Sequence, residues 1–184
     1  NLYDANKQKA VILEQSQRIS KLINTMSSVF HGQRVRKEQP IYLLDLLKNC
    51  TALFEGQIKN VHYDTVELPK IFGDKEDLTI LFINLIKNAI EAVKGSNKVD
   101  IYIRAWLEPD RLCLSIQDNG LGMSRERVQN LFVHSHSTKD NGSGIGLQAI
   151  KRIANEHKAE IEVESEMNLG SKFTLRFPAF ASTS

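Results

Sequence analysis

Two glycine-rich stretches constrain this chain more than any other feature: Asp118-Asn119-Gly120-Leu121-Gly122 and, after a polar loop, Gly142-Ser143-Gly144-Ile145-Gly146-Leu147. Asp118 follows the run Leu112-Cys113-Leu114-Ser115-Ile116, whose alternation and β-branched content read as a strand. Its carboxylate therefore stands at a strand end, where it can accept a hydrogen bond, and an adenine amino group is one donor that fits. Gly120 and Gly122 permit positive φ and remove side chains that would hold a flat ring away. Leu147, Ile150, Ile153 and Ala154 fall at helical spacing, which predicts a helix that begins at the second set of glycines. Free N–H groups at such a helix N-terminus, together with the helix dipole, favour a phosphate there. Each stretch alone also suits an ordinary turn. Their order along the chain favours a nucleotide pocket.

A third element lies upstream, where Asp77 to Lys94 reads as a largely apolar helix capped by Asp74. Asn84, Lys87, Asn88 and Glu91 follow i, i+3, i+4, i+7 spacing and form one polar stripe along it. A solvated face is one account of that stripe. Asn is a weak helix former, however, and a solvated face draws more readily on Glu, Lys or Gln, so two Asn one turn apart point to amide oxygens aimed at a ligand. A hydrated Mg²⁺ bound to phosphates suits them, because that hard ion takes oxygen ligands and keeps several waters.

Asn84-Leu-Ile-Lys-Asn88-Ala resembles the N box, Asp118-x-Gly120-x-Gly122 the G1 box, Phe132 the F box and Gly142-x-Gly144-x-Gly146-Leu147 the G2 box of the ATP-binding domain of sensor histidine kinases. That domain belongs to a superfamily shared with gyrase, a heat-shock chaperone and the mismatch-repair ATPase. Gly170-Ser171-Lys-Phe173-Thr174-Leu-Arg-Phe-Pro178 resembles its last strand, so the likeness runs from about residue 40 to residue 178. The resemblance implies that Asp118, with Gly120 and Gly122 beside it, binds the adenine amino group of ATP directly and through water. It implies that Asn88 coordinates Mg²⁺, with Asn84 and Lys87 near the phosphates. Residues 123–141 would form a mobile lid whose Ser137, Thr138 and Lys139 meet the phosphates, together with Gly142, Gly144, Gly146 and Leu147. Thr174 would join the adenine water network.

In hydrolysing members of that superfamily a Glu one turn before the Mg²⁺-binding Asn prepares the attacking water, a role set by geometry and pKa together. Asn84 holds that position here and is no base, so the resemblance implies a site that keeps the γ-phosphoryl for another acceptor. Glu91 stands where many kinases carry Lys, and His134-Ser-His136 is an unusual lid sequence. No residue of the chain is assigned as the base that assists the acceptor. Upstream, Ile12, Ile19 and Met26 repeat every seven residues with Leu22 and Val29 three later, which predicts a helix from about Asp4 to His31 seeking a partner helix. By the resemblance, residues 1–38 would be the second helix of the dimerisation and histidine-phosphotransfer hairpin with its linker, residues 39–178 the ATP-binding domain and residues 179–184 a tail. His31, His62 and His157 lack the following acid of a phospho-acceptor, which would then lie on a helix outside this fragment. The implied partners are ATP, that acceptor helix, a cognate response regulator and, in the full-length protein, a second copy in a homodimer. Two other readings stay open: an ATP hydrolase of the same superfamily, and a non-catalytic module that binds nucleotide or only a partner hairpin.

A chain of 184 residues, 41% hydrophobic and with formal net charge +2, suits one ordinary domain plus an extension. No apolar run approaches the roughly 20 residues of a membrane span, so a cytoplasmic placement is expected, with any membrane anchor in the parent protein. The absence of a Lys/Arg cluster with interleaved aromatics argues against nucleic-acid binding. Cys50 and Cys113 offer neither a disulfide framework nor zinc spacing and are expected as reduced core residues. His134 and His136, without further ligands, make a weak metal pair. Pro40 is expected to start a helix through Leu53, with strands at Val61–Glu67, Ile71–Phe72, Lys98–Leu107, Arg111–Gln117, Glu160–Glu166 and through Phe173, Leu175 and Phe177. Ile161, Val163 and Ser165 would share a buried face, and Glu162, Glu164 and Glu166 an acidic one. The fold class is an α/β (α+β) sandwich: a mixed β-sheet covered on one face by about three helices, with ATP between the helix layer and the lid. The resemblance makes it Bergerat-type.

Overall fold

The computed structural model describes residues 36–93, 98–132 and 145–178. The chain separates into two compact units, Asn1–Arg36 and Lys37–Ser184. The helix expected from Asp4 to His31 lies outside the described residues, as do Ser137, Thr138, Lys139, Gly142 and Gly144, the His134/His136 pair and residues 179–184.

Alternation in the second unit becomes register. Its elements are β1 (Glu38–Ile41), α1 (Leu43–Ala52), β2 (Ile58–Thr65), β3 (Ile71–Asp74), α2 (Lys75–Glu91), β4 (Val99–Glu108), β5 (Arg111–Asp118), α3 (Arg125–Asn130), α4 (Ile145–Glu156), β6 (Glu160–Glu166) and β7 (Gly170–Pro178). Five strands form one sheet in the order β2-β4-β5-β7-β6, with β2 and β4 parallel and the other pairs antiparallel. A parallel pair needs a long crossover, and β3 with α2 supplies it. Ile101 pairs with Asp118, Ile103 with Ile116 and Ala105 with Leu114. Ile116, Leu114 and Leu112 pair in turn with Phe173, Leu175 and Phe177. Paired residues share a face, so one apolar face runs across the three central strands. Leu46 and Leu47 of α1, Leu78, Leu81, Phe82 and Leu85 of α2, and Ile150, Ile153 and Ala154 of α4 are buried against it. Each such Leu, Ile or Phe contributes roughly 1.5–3 kcal/mol on full burial. This is the α/β sandwich expected from the sequence, with three helices on one face.

The other face is a cross-strand ladder of charge. Arg176 meets Glu162 at 2.7 Å and Glu108 at 3.7 Å, Arg111 meets Glu160 at 2.8 Å, Arg104 meets Asp64 at 3.4 Å, and Lys172 pairs with Glu164. Cys113 pairs in register with Trp106 and Arg176 on this side, so it is buried beneath the ladder and not in the helix-covered core, where Cys50 lies. Burial pushes the Cys113 thiol up to about 11.

Pro40 starts no helix. It lies in β1 opposite Phe72 of β3, and α1 begins only after Tyr42. The fixed φ of proline suits a strand as well as a first helical turn, and a two-stranded ribbon is all edge, where a missing N–H is tolerated. Ile161, Val163 and Ser165 are half-buried, because β6 is the edge of the sheet and has one neighbour only.

Candidate nucleotide site

The site is built around the end of β5. Asp118, its last residue, is 4% exposed on the helix-covered face. Its Oδ1 accepts the Gly120 N–H at 2.8 Å and the Ser171 N–H at 3.3 Å, and neither bond uses Oδ2. Burial pushes this carboxyl above its ordinary value, and the two backbone bonds pull it partly back. The loop beyond is held on three sides: Leu121 N–H donates to Ala92 O at 2.8 Å, Asn168 N–H to Leu121 O at 2.7 Å, and Met123 N–H to Ser165 Oγ at 2.8 Å.

The glycines act differently from one another. Gly122 has φ +64, and a Cβ there would stand 1.9 Å from Glu166 O. Gly120 lacks positive φ, contrary to expectation; its hydrogen is needed because a Cβ would meet Ala92 Cβ at 2.5 Å and Asp118 Oδ1 at 2.7 Å. Gly170, which the sequence reading passed over as a site residue, has φ +95 and closes within 1.9 Å of Asp118 O by the same measure.

Helix α2 brings the asparagines to this loop. Asp74 caps it, its Oδ1 accepting the Glu76 and Asp77 N–H groups, and the helix ends at Ala92, whose carbonyl receives Leu121. Asn88, one turn before Ala92, therefore stands beside the loop. Its Nδ2 is buried and has no hydrogen-bond partner among the described residues. Asn84 is engaged: its Nδ2 donates to Ile80 O at 2.8 Å, and its Oδ1 lies 2.9 Å from where a Gly146 Cβ would be. The expected polar stripe thus divides. Asn84 faces α4, Asn88 is unpaired, Lys87 is half-buried and Glu91 is exposed. Gly146 lets α4 approach α2, and Leu147 and Phe132 pack against the core. At the far end of the same helix pair, His157 of the α4 terminus accepts the Asp74 N–H on Nε2 at 3.0 Å, so its Nδ1–H donates to Ile153 O at 2.8 Å.

Thr174 pairs with Ser115 and Glu162, which places it on the ladder face, opposite the side that Asp118 occupies. Ser171 stands instead next to Asp118, one position beyond the Gln117–Lys172 pair, and is buried. The alternation of Phe173, Leu175 and Phe177 in the sequence already puts Ser171 on their face.

The chain's residues 73–181 match the family model of histidine kinase-, DNA gyrase B- and HSP90-like ATPases. It is 38% identical over 116 residues to the sensor protein RprX of Bacteroides fragilis, covering 60% of this chain and 22% of that protein. It is 30% identical over 173 residues to sporulation kinase E of Bacillus subtilis, covering 91% of this chain and 23% of that protein. The catalytic domain of histidine kinase ThkA superposes with a TM-score of 0.67 at 25% identity, over 77% of this chain and 95% of that one. The chain thus belongs to the histidine kinase-, gyrase B- and HSP90-like ATPase family, and its described fold is that of a histidine kinase ATP-binding catalytic domain. It spans less than a quarter of the length of these two curated relatives.

Proposed function

We propose that this domain binds Mg·ATP beside α2 and donates the γ-phosphoryl to a histidine carried outside the chain, as the catalytic part of a two-component sensor histidine kinase. One observation carries the reading: a buried carboxylate at a strand end, fixed on one oxygen by two backbone N–H groups, in a loop that closes around it only because Gly120, Gly122 and Gly170 carry no side chain. Oδ2 of Asp118 is the acceptor for the adenine amino group. Asn88 is suited to Mg²⁺, since its Oδ1 is the hard oxygen ligand that ion takes and its buried Nδ2 is not tied to the fold. Among the described residues no group of three or more His, Cys, Asp or Glu could hold the ion alone, so the nucleotide's phosphates would supply further oxygens. When bound, Mg²⁺ neutralises phosphate charge. The protein's own work is to orient the nucleotide and hold it for in-line transfer. Asn84, at the position of the hydrolases' base, is bonded back to its own helix and is not a base, which favours transfer over hydrolysis. Ser137, Thr138, Lys139, Gly142 and Gly144 remain proposed phosphate contacts, and the acceptor helix, a response regulator and a second copy of the full-length protein remain proposed partners. Among the described residues no helix is long and apolar enough to cross a membrane.

Calorimetric titration with a non-hydrolysable ATP analogue, with and without Mg²⁺, tests the reading. Mg²⁺-dependent binding is expected in the parent chain and is weakened roughly tenfold or more in Asp118→Asn. A histidine-bearing hairpin added with ATP is then expected to yield acid-labile phosphohistidine. No binding by the folded chain overturns the reading, and sustained phosphate release without transfer replaces it with hydrolysis.

A further inference from the structure

The hydroxyl of Ser165 joins three segments at the edge of the site. It accepts the Met123 N–H at 2.8 Å, donates to the Gly170 carbonyl at 2.8 Å, and lies 3.0 Å from the Ser171 hydroxyl. A serine hydroxyl has one hydrogen and two lone pairs. A carbonyl only accepts, so the Ser165 hydrogen is committed to Gly170, and one lone pair is committed to Met123. The remaining lone pair faces Ser171, and the 3.0 Å contact can be made only with Ser171 as donor. The direction of the chain is therefore fixed: Ser171 O–H to Ser165, and Ser165 O–H to Gly170.

That direction sets what Ser171 can offer a ligand. Its N–H is already given to Asp118 Oδ1 and its hydroxyl hydrogen to Ser165, so only oxygen lone pairs remain. Ser171 is buried on the same face as Asp118, and Asp118 offers Oδ2, also an acceptor. The two side chains present acceptors and no donor. A nucleobase with an exocyclic amino group at position 6 satisfies such an edge, whereas one with a carbonyl there sets oxygen against oxygen and leaves buried acceptors unpaired.

We infer that Ser165 is a specificity-determining positioning residue: by fixing the hydrogen of Ser171 it makes the site select adenine over guanine or hypoxanthine, and by holding Met123 it ties the segment after Gly122 to that same edge. This rests on the ATP reading above. Without Ser165 the Ser171 hydroxyl is free to rotate and to donate to a 6-carbonyl, so discrimination relaxes although Asp118 is untouched.

The test is the ratio of affinities for non-hydrolysable ATP and GTP analogues, with inosine triphosphate as a probe of position 6 alone, in the parent chain and in Ser165→Ala, Ser165→Val and Ser165→Thr. Valine suits a strand and guards against a folding failure of the alanine variant. The Ala and Val variants are expected to lower the ATP-over-GTP and ATP-over-ITP ratios by about fivefold, the scale of one neutral hydrogen bond, while Thr, which keeps the hydroxyl, retains the parent ratios. Unchanged ratios in Ser165→Ala and Ser165→Val, including an equal loss of all three nucleotides, overturn the inference and leave Ser165 a structural residue. If the folded parent chain binds none of the nucleotides, the ATP reading fails instead, so the two failures are distinct.

Discussion

The two ends of α2 are built to opposite rules. At its N-terminus the buried polar side chains have partners: Asp74 accepts the N–H groups of Glu76 and Asp77 on Oδ1 and of Lys37 on Oδ2, its own N–H goes to His157, and Arg152 approaches Asp77 at 3.9 Å. At its C-terminal end the helix carries Asn88 with an orphaned buried Nδ2, and ends in a carbonyl that holds the Asp118 loop. A buried unpaired amide costs about 1–3 kcal/mol, so its presence at one end and complete satisfaction at the other separates the part of the helix that holds the fold from the part left open to a ligand.

The largest effects expected come from the open end and should appear first in binding. Asp118→Asn keeps an oxygen for Gly120 and Ser171 but turns an N–H₂ toward the nucleobase amino group, so affinity for the ATP analogue should fall roughly tenfold to a hundredfold by calorimetry. Asn88→Ala removes an amide that the fold does not use; Mg²⁺-dependent affinity should fall while the melting temperature holds or rises. The pH dependence has a definite sign. Burial raises the Asp118 carboxyl above its ordinary 3.8, so the native state keeps a proton that the unfolded chain releases. Stability therefore falls as pH rises from about 3.8 through the raised value, and Asp118→Asn should remove that fall from a series of denaturant titrations. A loss of stability in Asn88→Ala equal to its loss of affinity would break the contrast between the ends.

The closed end should answer in stability. His157→Ala deletes two buried hydrogen bonds and leaves a void beside Gly73, whose Cβ, if present, would sit 2.6 Å from the imidazole. The expected cost is about 3 kcal/mol, or a melting temperature lower by about 10 °C, with analogue affinity of the folded fraction unchanged. Asp74→Ala, a lost N-cap, should cost about 1–2 kcal/mol by the same assay.

How much of this was legible in the sequence follows from the range of each interaction. The strand before Asp118, the cap at Asp74 and the helix carrying the asparagines are local patterns; the strand and the cap stand where period and punctuation placed them, while the helix, expected over Asp77 to Lys94, runs Lys75–Glu91 and ends where Ala92 turns to the Asp118 loop. Four motifs in order were enough to point to the family. Thr174 and Ser171 show a signal passed over: the alternation of Phe173, Leu175 and Phe177 puts Ser171 on their face and Thr174 on the other, and one step of parity separates the Asp118 side from the charge ladder. Gly120 shows a limit, since a glycine kept for clearance from Ala92 looks in sequence like one kept for positive φ. His157 had no local signal at all, because its partner lies 83 residues away.

Asn84 lies between the two ends and gives the smallest and most decisive test. Its amide nitrogen bonds back to Ile80, and its oxygen occupies the place that a methyl on Gly146 would need. Gly146→Ala should gain up to about 1 kcal/mol of helix propensity and lose a similar amount by displacing that oxygen, for a net change near zero. Asn84→Ala removes the obstacle, so the double variant should exceed the sum of the singles by roughly 0.5–1 kcal/mol in a thermal-unfolding cycle, the signature of direct contact. The analogue titration then assigns the residue. If the double variant binds as the parent does, Asn84 belongs with Asp74 and His157 as part of the α2–α4 seam; if Mg²⁺-dependent affinity falls, the open end of α2 extends a full turn further, and the phosphate side of the site is wider than Asn88 alone.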